Sequence, residues 1–230
     1  MNSAREKILQ NLRKSSTAVS SLSRLPNHQD ASIYRNYDPA RQNPLHVFAQ
    51  KLAALKGEFF HVADELAAAK TLQELLSGFS SQTETAGAAK LAARHRHPLL
   101  DRIFAADQWL NENIQRIDRQ EISSPDFADF MVGITAVDFL VARTASIVLS
   151  TATAGGRRLS VLPPFHIAIA TTGQFVISLD EALKNYYARG EANRSSYATI
   201  ITGPSRTSDI EKILVLGAHG PKRLAVIVVG

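Results

Sequence analysis

The chain of 230 residues contains no cysteine. That excludes disulfides, thiol nucleophiles and thiolate-held iron–sulfur clusters on this chain, and it leaves zinc only His and carboxylate ligands. Long apolar runs are missing too: none approaches the roughly 20 residues that a membrane helix needs. The N-terminus lacks the apolar core of a signal peptide, so a cytoplasmic protein without membrane contact is expected. The P-loop, G-x-G-x-x-G, G-x-S-x-G and H-E-x-x-H motifs are all absent, which removes the common cofactor and hydrolase fingerprints. No cofactor or metal is expected on this chain; a small anionic ligand is.

What is present suits an ordinary folded domain: hydrophobic residues make up 45% and charged residues 20%, enough apolar side chain for a substantial core. The net charge is +5, yet residues 1–43 carry seven basic residues against three acidic ones. The rest is close to neutral. The basic arm has only Tyr34 and Tyr37 as aromatics, not the interleaved rings of a single-strand binder, so no nucleic-acid partner is expected.

Residues 2–14 read as a short amphipathic helix, with Ala4, Ile8, Leu9 and Leu12 on one side. Residues 15–43 show no period and read as an extended arm. The body spans 44–230. Asn43-Pro44 reads as N-cap and first helical residue, Gly57 as the helix stop, and 59–62 as a strand. A second helix is expected over 63–77, with Leu66, Leu72, Leu75 and Leu76 inward and Gly78 as its stop. Arg94-His95-Arg96-His97 has metal-ligand spacing if it lies on a strand, but no acidic residue stands close in sequence and a solvated basic loop is the expectation. The segment 137–149 is β-rich, Pro163-Pro164 breaks into the apolar strand 165–170, and Ser178-x-x-Glu181 is a capping box opening a helix to about 189. The last strand is 224–229. Continuously apolar strands between helices indicate an α/β fold with a mostly parallel sheet.

Hydroxyls, charges and glycines concentrate in Ile200–Pro221. One turn is Gly203-Pro204-Ser205-Arg206-Thr207-Ser208-Asp209. Its amides could cradle an anion, and Arg206 offers a planar fork for carboxylate or phosphate. The same residues also make a plain capping box at Ser208–Glu211, with Arg206 paired to Asp209 or Glu211. The other turn, Gly217-Ala218-His219-Gly220-Pro221, places an imidazole after a buried run, 213–216. This reads as the end of a parallel strand, the usual place for a site in an open α/β sheet. His219 is then a candidate to move a proton, or an ordered turn residue. His166 is a second candidate, or a satisfied buried histidine. Gly155-Gly156-Arg157-Arg158 fits an anion clamp or a hairpin turn.

Read together, Gly133-Ile134-Thr135-Ala136, Arg158-Leu159-Ser160, Leu162-Pro163-Pro164-x-His166, Gly203–Glu211 and Gly217-x-His219-Gly220-Pro221 resemble the LUD domain of lactate-utilisation proteins, particularly the C-type subunit. The resemblance implies a three-layer α/β/α sandwich like the glucosamine-phosphate deaminase, ribose-phosphate isomerase and CoA-transferase group. It also implies work beside iron–sulfur partner subunits that oxidise L-lactate. Ser205, Arg206, Thr207 and Asp209 would then line a pocket with His166 and His219. Thr135 and the surplus arginines Arg143, Arg157 and Arg158 are added as ligand-binding candidates for a small carboxylate or phosphate. Those arginines equally suit a stand-alone enzyme for a sugar phosphate or an acyl-CoA. One departure stands out: Arg143-Thr144-Ala145-Ser146 occupies the place where the family commonly reads Glu-Thr-Gly-Thr.

Overall fold

The computed structural model describes residues 4–18, 42–80, 90–117, 127, 129–151, 157–189, 197–207, 215–216 and 219–230. The chain forms two compact units, Met1–Asp38 and Pro39–Gly230. Among the described residues the first holds one helix, α1 (Ala4–Ala18), against the expected 2–14. The arm expected over 15–43 lies mostly outside the described residues.

In the second unit α2 (Pro44–Ala54) starts where the sequence placed it: the Asn43 side chain accepts from the Leu45 amide at 2.9 Å, with Pro44 in the first turn. Its stop is Lys56 rather than Gly57, since Lys56 is the left-handed residue (φ 69°). Gly57 is needed for space, because a Cβ there would lie 2.6 Å from Leu52 Cδ1. After β1 (Glu58–Val62), α3 (Glu65–Ser80) runs through Gly78 instead of ending there, and Leu66 points to solvent. Its inner face is Ala68, Ala69, Leu72 and Leu76, a 3–4 spacing that a single-residue choice at Leu66 misjudged.

The basic run is not a solvated loop. Arg94 and His95 end β2 (Lys90–His95) and are buried. Arg94 Nη1 donates to Asp101 at 2.6 Å and its guanidinium stacks 4.3 Å from the Phe104 ring. The missing carboxylate stands seven residues on, folded back by α4 (Pro98–Ala105), which His97 N-caps by accepting from the Leu99 amide at 3.2 Å. Next come α5 (Gln108–Asn113), β3 (Gln115–Ile117), β4 (Phe130–Ala136), β5 (Phe139–Val141) and β6 (Ser146–Ser150). They are followed by the single helical turn α6 (Arg158–Val161), β7 (Phe165–Thr171), β8 (Phe175–Val176) and α7 (Leu179–Ala188). Arg157 and Arg158 therefore open a helical turn rather than a hairpin; Gly155 and Gly156 lie outside the described residues. The Ser178 cap forms as expected, accepting from the Glu181 amide, while Glu181 reaches back to the Ile177 amide at 2.8 Å. The remaining strands are β9 (Ala198–Thr202), β10 (Arg206–Thr207), β11 (Val215–Leu216) and β12 (Arg223–Val229).

Six strands form an all-parallel sheet in the order β1-β12-β7-β4-β2-β3, the α/β architecture expected of continuously apolar strands. One face, carrying Val132, Ile134, Phe165, Ile167 and Ile227, packs on α3, α4 and α5. The other face, carrying Ala168, Ala170, Val226 and Val228, packs on α2 and on a second sheet of four strands in the order β8-β5-β6-β9. The outer face of that sheet is covered by α7 through Ala182 and Tyr186. The β-rich segment 137–149 thus builds a separate, mostly antiparallel sheet within the layer that also holds α2. Its strand β9 lies at the edge and is half-exposed, not buried.

Candidate functional site

A cavity of about 320 Å³ opens at the amino ends of β7 and β12. Two turns line it: Gly203-Pro204-Ser205 leaves β9, and His219-Gly220-Pro221 leads into β12; the Pro163-Pro164 turn that leads into β7 stands beside them. Backbone bonds tie them: the Ser205 amide donates to Pro221 O at 2.9 Å, and the Lys222 and Arg223 amides donate to Pro164 O at 2.8 and 3.2 Å. Gly203 adopts φ 79°, the left-handed region that favours glycine. A further wall is α6. It sits directly on β4 because residue 133 is glycine: a Cβ there would meet the Leu159 carbonyl oxygen at 1.9 Å.

His166, the second residue of β7, borders the cavity and is fully buried. Its Nε2 bonds Thr135 Oγ1 on the neighbouring strand at 2.8 Å. Burial pushes its pKa down to about 3, helped by the nearby His95, so the ring is neutral. Nδ1 has no hydrogen-bond partner among the described residues. His219 and Arg206 are exposed at the cavity wall and Ser205 is half-buried.

The structure therefore brings together four of the residues singled out in the sequence: His166, Ser205, Arg206 and His219. Thr135 stands behind His166 and holds its ring. Arg143 lies in the turn between β5 and β6, away from the cavity lining. Arg157 stacks 4.8 Å from the Tyr197 ring and Arg158 5.1 Å from Phe127, so the four arginines do not converge. The Thr207 backbone belongs to β10, and its side chain and Asp209 lie outside the described residues. The segment before His219 is not a parallel strand: Val215–Leu216 pairs antiparallel with Arg206–Thr207, an extension of the contact between the two glycine–proline turns. Of the turn amides expected to cradle an anion, that of Ser205 is taken by Pro221 O, and Pro204 and Pro221 have none.

Sequence reasoning missed the apolar half of the lining. Val161, Ile200, Ile201 and Leu224 contribute it, with Ser160 and Thr202 at its polar edge. Three consecutive β9 residues touch the cavity, although successive strand side chains point to opposite faces; the cavity therefore meets the strand's free edge. Among the described residues, no group of three His, Asp or Glu side chains is placed to hold a metal ion, and no helix is long and apolar enough to cross a membrane.

Comparison with known proteins gives this geometry a family setting. Residues 45–229 match the LUD domain family. The chain is similar to Lactate utilization protein C of Shouchella clausii, 35% identical over 122 residues, covering 53% of this chain and 51% of that protein. Against Lactate utilization protein C of Deinococcus radiodurans it is 39% identical over 98 residues, covering 42% and 45%. These alignments span about half the length of the curated relatives. Among solved structures, a DUF162 family protein from Deinococcus radiodurans superposes with a TM-score of 0.52 at 22% identity, covering 81% of this chain and 96% of that one; at that identity the likeness concerns the fold alone.

Proposed function

The chain belongs to the LUD domain family, and on that premise we propose that it is a cluster-free cytoplasmic subunit of a lactate-utilising system, working beside iron–sulfur partner proteins. The single observation that carries this reading is convergence. Ser160–Val161, His166, Gly203–Arg206 and His219–Pro221, distant in sequence, close around one cavity. On this reading Arg206 pairs with a carboxylate, Ser205 hydrogen-bonds it and His219 exchanges a proton. Relatives named for lactate utilisation support the process, and the lack of cysteine agrees with clusters being held elsewhere. The alternative of a stand-alone enzyme for a sugar phosphate or an acyl-CoA keeps fold kinship as its motivation but not the surplus arginines, since Arg143, Arg157 and Arg158 are not among the cavity's lining residues.

The test is L-lactate oxidation by the purified iron–sulfur partners with and without this chain, followed with an artificial electron acceptor. The expected result is activity that depends on the chain and falls at least tenfold with Arg206→Ala. Equal oxidation in its absence would overturn the reading.

A further inference from the structure

Resting on the reading of this cavity as the functional site, we propose that its ligand is an amphipathic monocarboxylate whose apolar body is larger than that of a three-carbon acid. The polar wall is cationic: Arg206 is there, and no described lining residue is acidic. The glycine–proline turns spend the Ser205, Lys222 and Arg223 amides on Pro221 and Pro164 carbonyls, which takes these three from any anion-binding nest. One guanidinium fork matches one carboxylate.

The opposite wall is apolar, and part of it is open to water. Val161 is 38% exposed and Ile200 44%, large aliphatic side chains flanking the cavity with Ile201 and Leu224 deeper in. Covering them would remove apolar surface from solvent, which a hydrocarbon body does and a methyl group does poorly. At about 320 Å³ the space falls in the range of sites that enclose drug-sized ligands. The unpartnered Nδ1 of the fully buried His166 at this cavity supplies a further hydrogen-bonding group, as a 2-oxo acid or an ordered water would use.

The experiment is calorimetric titration of the full chain with acetate, butyrate, hexanoate, L-lactate, pyruvate, 4-methyl-2-oxopentanoate and inorganic phosphate. Affinity is expected to rise roughly fourfold per buried methylene along the straight-chain acids. The branched 2-oxo acid should bind tighter than pyruvate, and phosphate should not compete. Arg206→Gln should weaken every carboxylate about tenfold. Ile200→Ser should flatten the rise with chain length. A flat series, displacement by phosphate, or unaltered binding by Arg206→Gln overturns the inference. The two readings fail separately. Lactate and pyruvate binding as tightly as the longer acids sinks only this one, whereas hexanoate binding in a chain that lactate oxidation does not need sinks only the lactate-utilisation reading.

Discussion

The two ends of the parallel sheet both carry polar residues and use them differently. Beyond the carboxyl ends of β2 and β4, charges face one another. Asp138 is buried, with one oxygen on Arg189 and the other accepting from the Ser150 amide at 2.6 Å. The Gln174 amide donates to the Val137 and Asp138 carbonyls, and Arg94 Nη1 is taken by Asp101. At the amino ends of β7 and β12, Arg206 and His219 face a cavity, and His166 keeps a nitrogen unpartnered among the described residues. Open α/β sheets usually bind ligands beyond their carboxyl ends; here that end carries the Asp138–Arg189 and Arg94–Asp101 pairs and the cavity opens at the other. What sets the cavity end apart is open space lined by Arg206 and His219, not polar density.

The strongest way to break this contrast is at the seat of α6. Gly133→Val places atoms inside the Leu159 carbonyl, so helix and strand must part and the cavity wall goes with them. A loss of about 4 kcal/mol or more is expected in urea unfolding, or a chain that no longer folds cooperatively. Unchanged stability would mean that α6 does not sit on β4 as described.

Next in size is a paired test of the two ends. Asp138→Asn leaves Arg189 without its buried partner and should cost about 3 kcal/mol, while hexanoate or pyruvate binding stays intact in the folded protein. Arg206→Ala should do the reverse: stability within about 0.5 kcal/mol of the parent, with ligand binding and lactate oxidation lost. If both variants lost stability, or both lost only binding, the division between a structural end and a functional end would collapse.

The same division explains what the sequence revealed. Continuous apolar strands made the parallel sheet readable, and Asn43-Pro44 and Ser178-x-x-Glu181 made two helix starts readable, because these signals are local. The glycine–proline turns marked the cavity region for the same reason. Pairing was not readable. Arg94 and Asp101 meet only once α4 folds back, and nothing in Val137–Leu149 tells a parallel strand from a hairpin of a second sheet. Arg143, Arg157 and Arg158 suggested an anion site by proximity in sequence alone, whereas two of them spend their guanidinium groups on aromatic rings. The apolar half of the cavity escaped because Ile200 and Leu224 read as ordinary strand residues.

His166 gives a graded test. Its folded pKa is about 3 against an ordinary 6.5, so the unfolded chain takes up the proton first as pH falls. Its contribution is constant above about pH 6.5 and shrinks by about 1.4 kcal/mol per unit as the pH drops toward 3. Unfolding free energies between pH 6.5 and 4.5 should therefore fall more steeply for the parent than for His166→Asn. Parallel profiles would show that the imidazole is solvated and titrates normally.

The smallest effect is expected at the turn between β5 and β6. Ala145 there has φ 50°, the left-handed region that favours glycine, with its side chain fully buried. An alanine held there is strained by about 1 kcal/mol relative to glycine, so Ala145→Gly should stabilise the protein by up to that amount. The substitution also probes reach. The Thr144 hydroxyl bonds Ser146 at 2.7 Å, and Ser146 bonds Thr202 at 2.7 Å, whose residue lines the cavity. The turn thus touches the site through a hydroxyl chain rather than through Arg143. Relief of strain at residue 145 should raise thermal stability without changing carboxylate affinity. A matching change with Arg143→Glu would show instead that the charge at this turn is felt in the cavity after all, and would move Arg143 from the turn's architecture into the site's electrostatics.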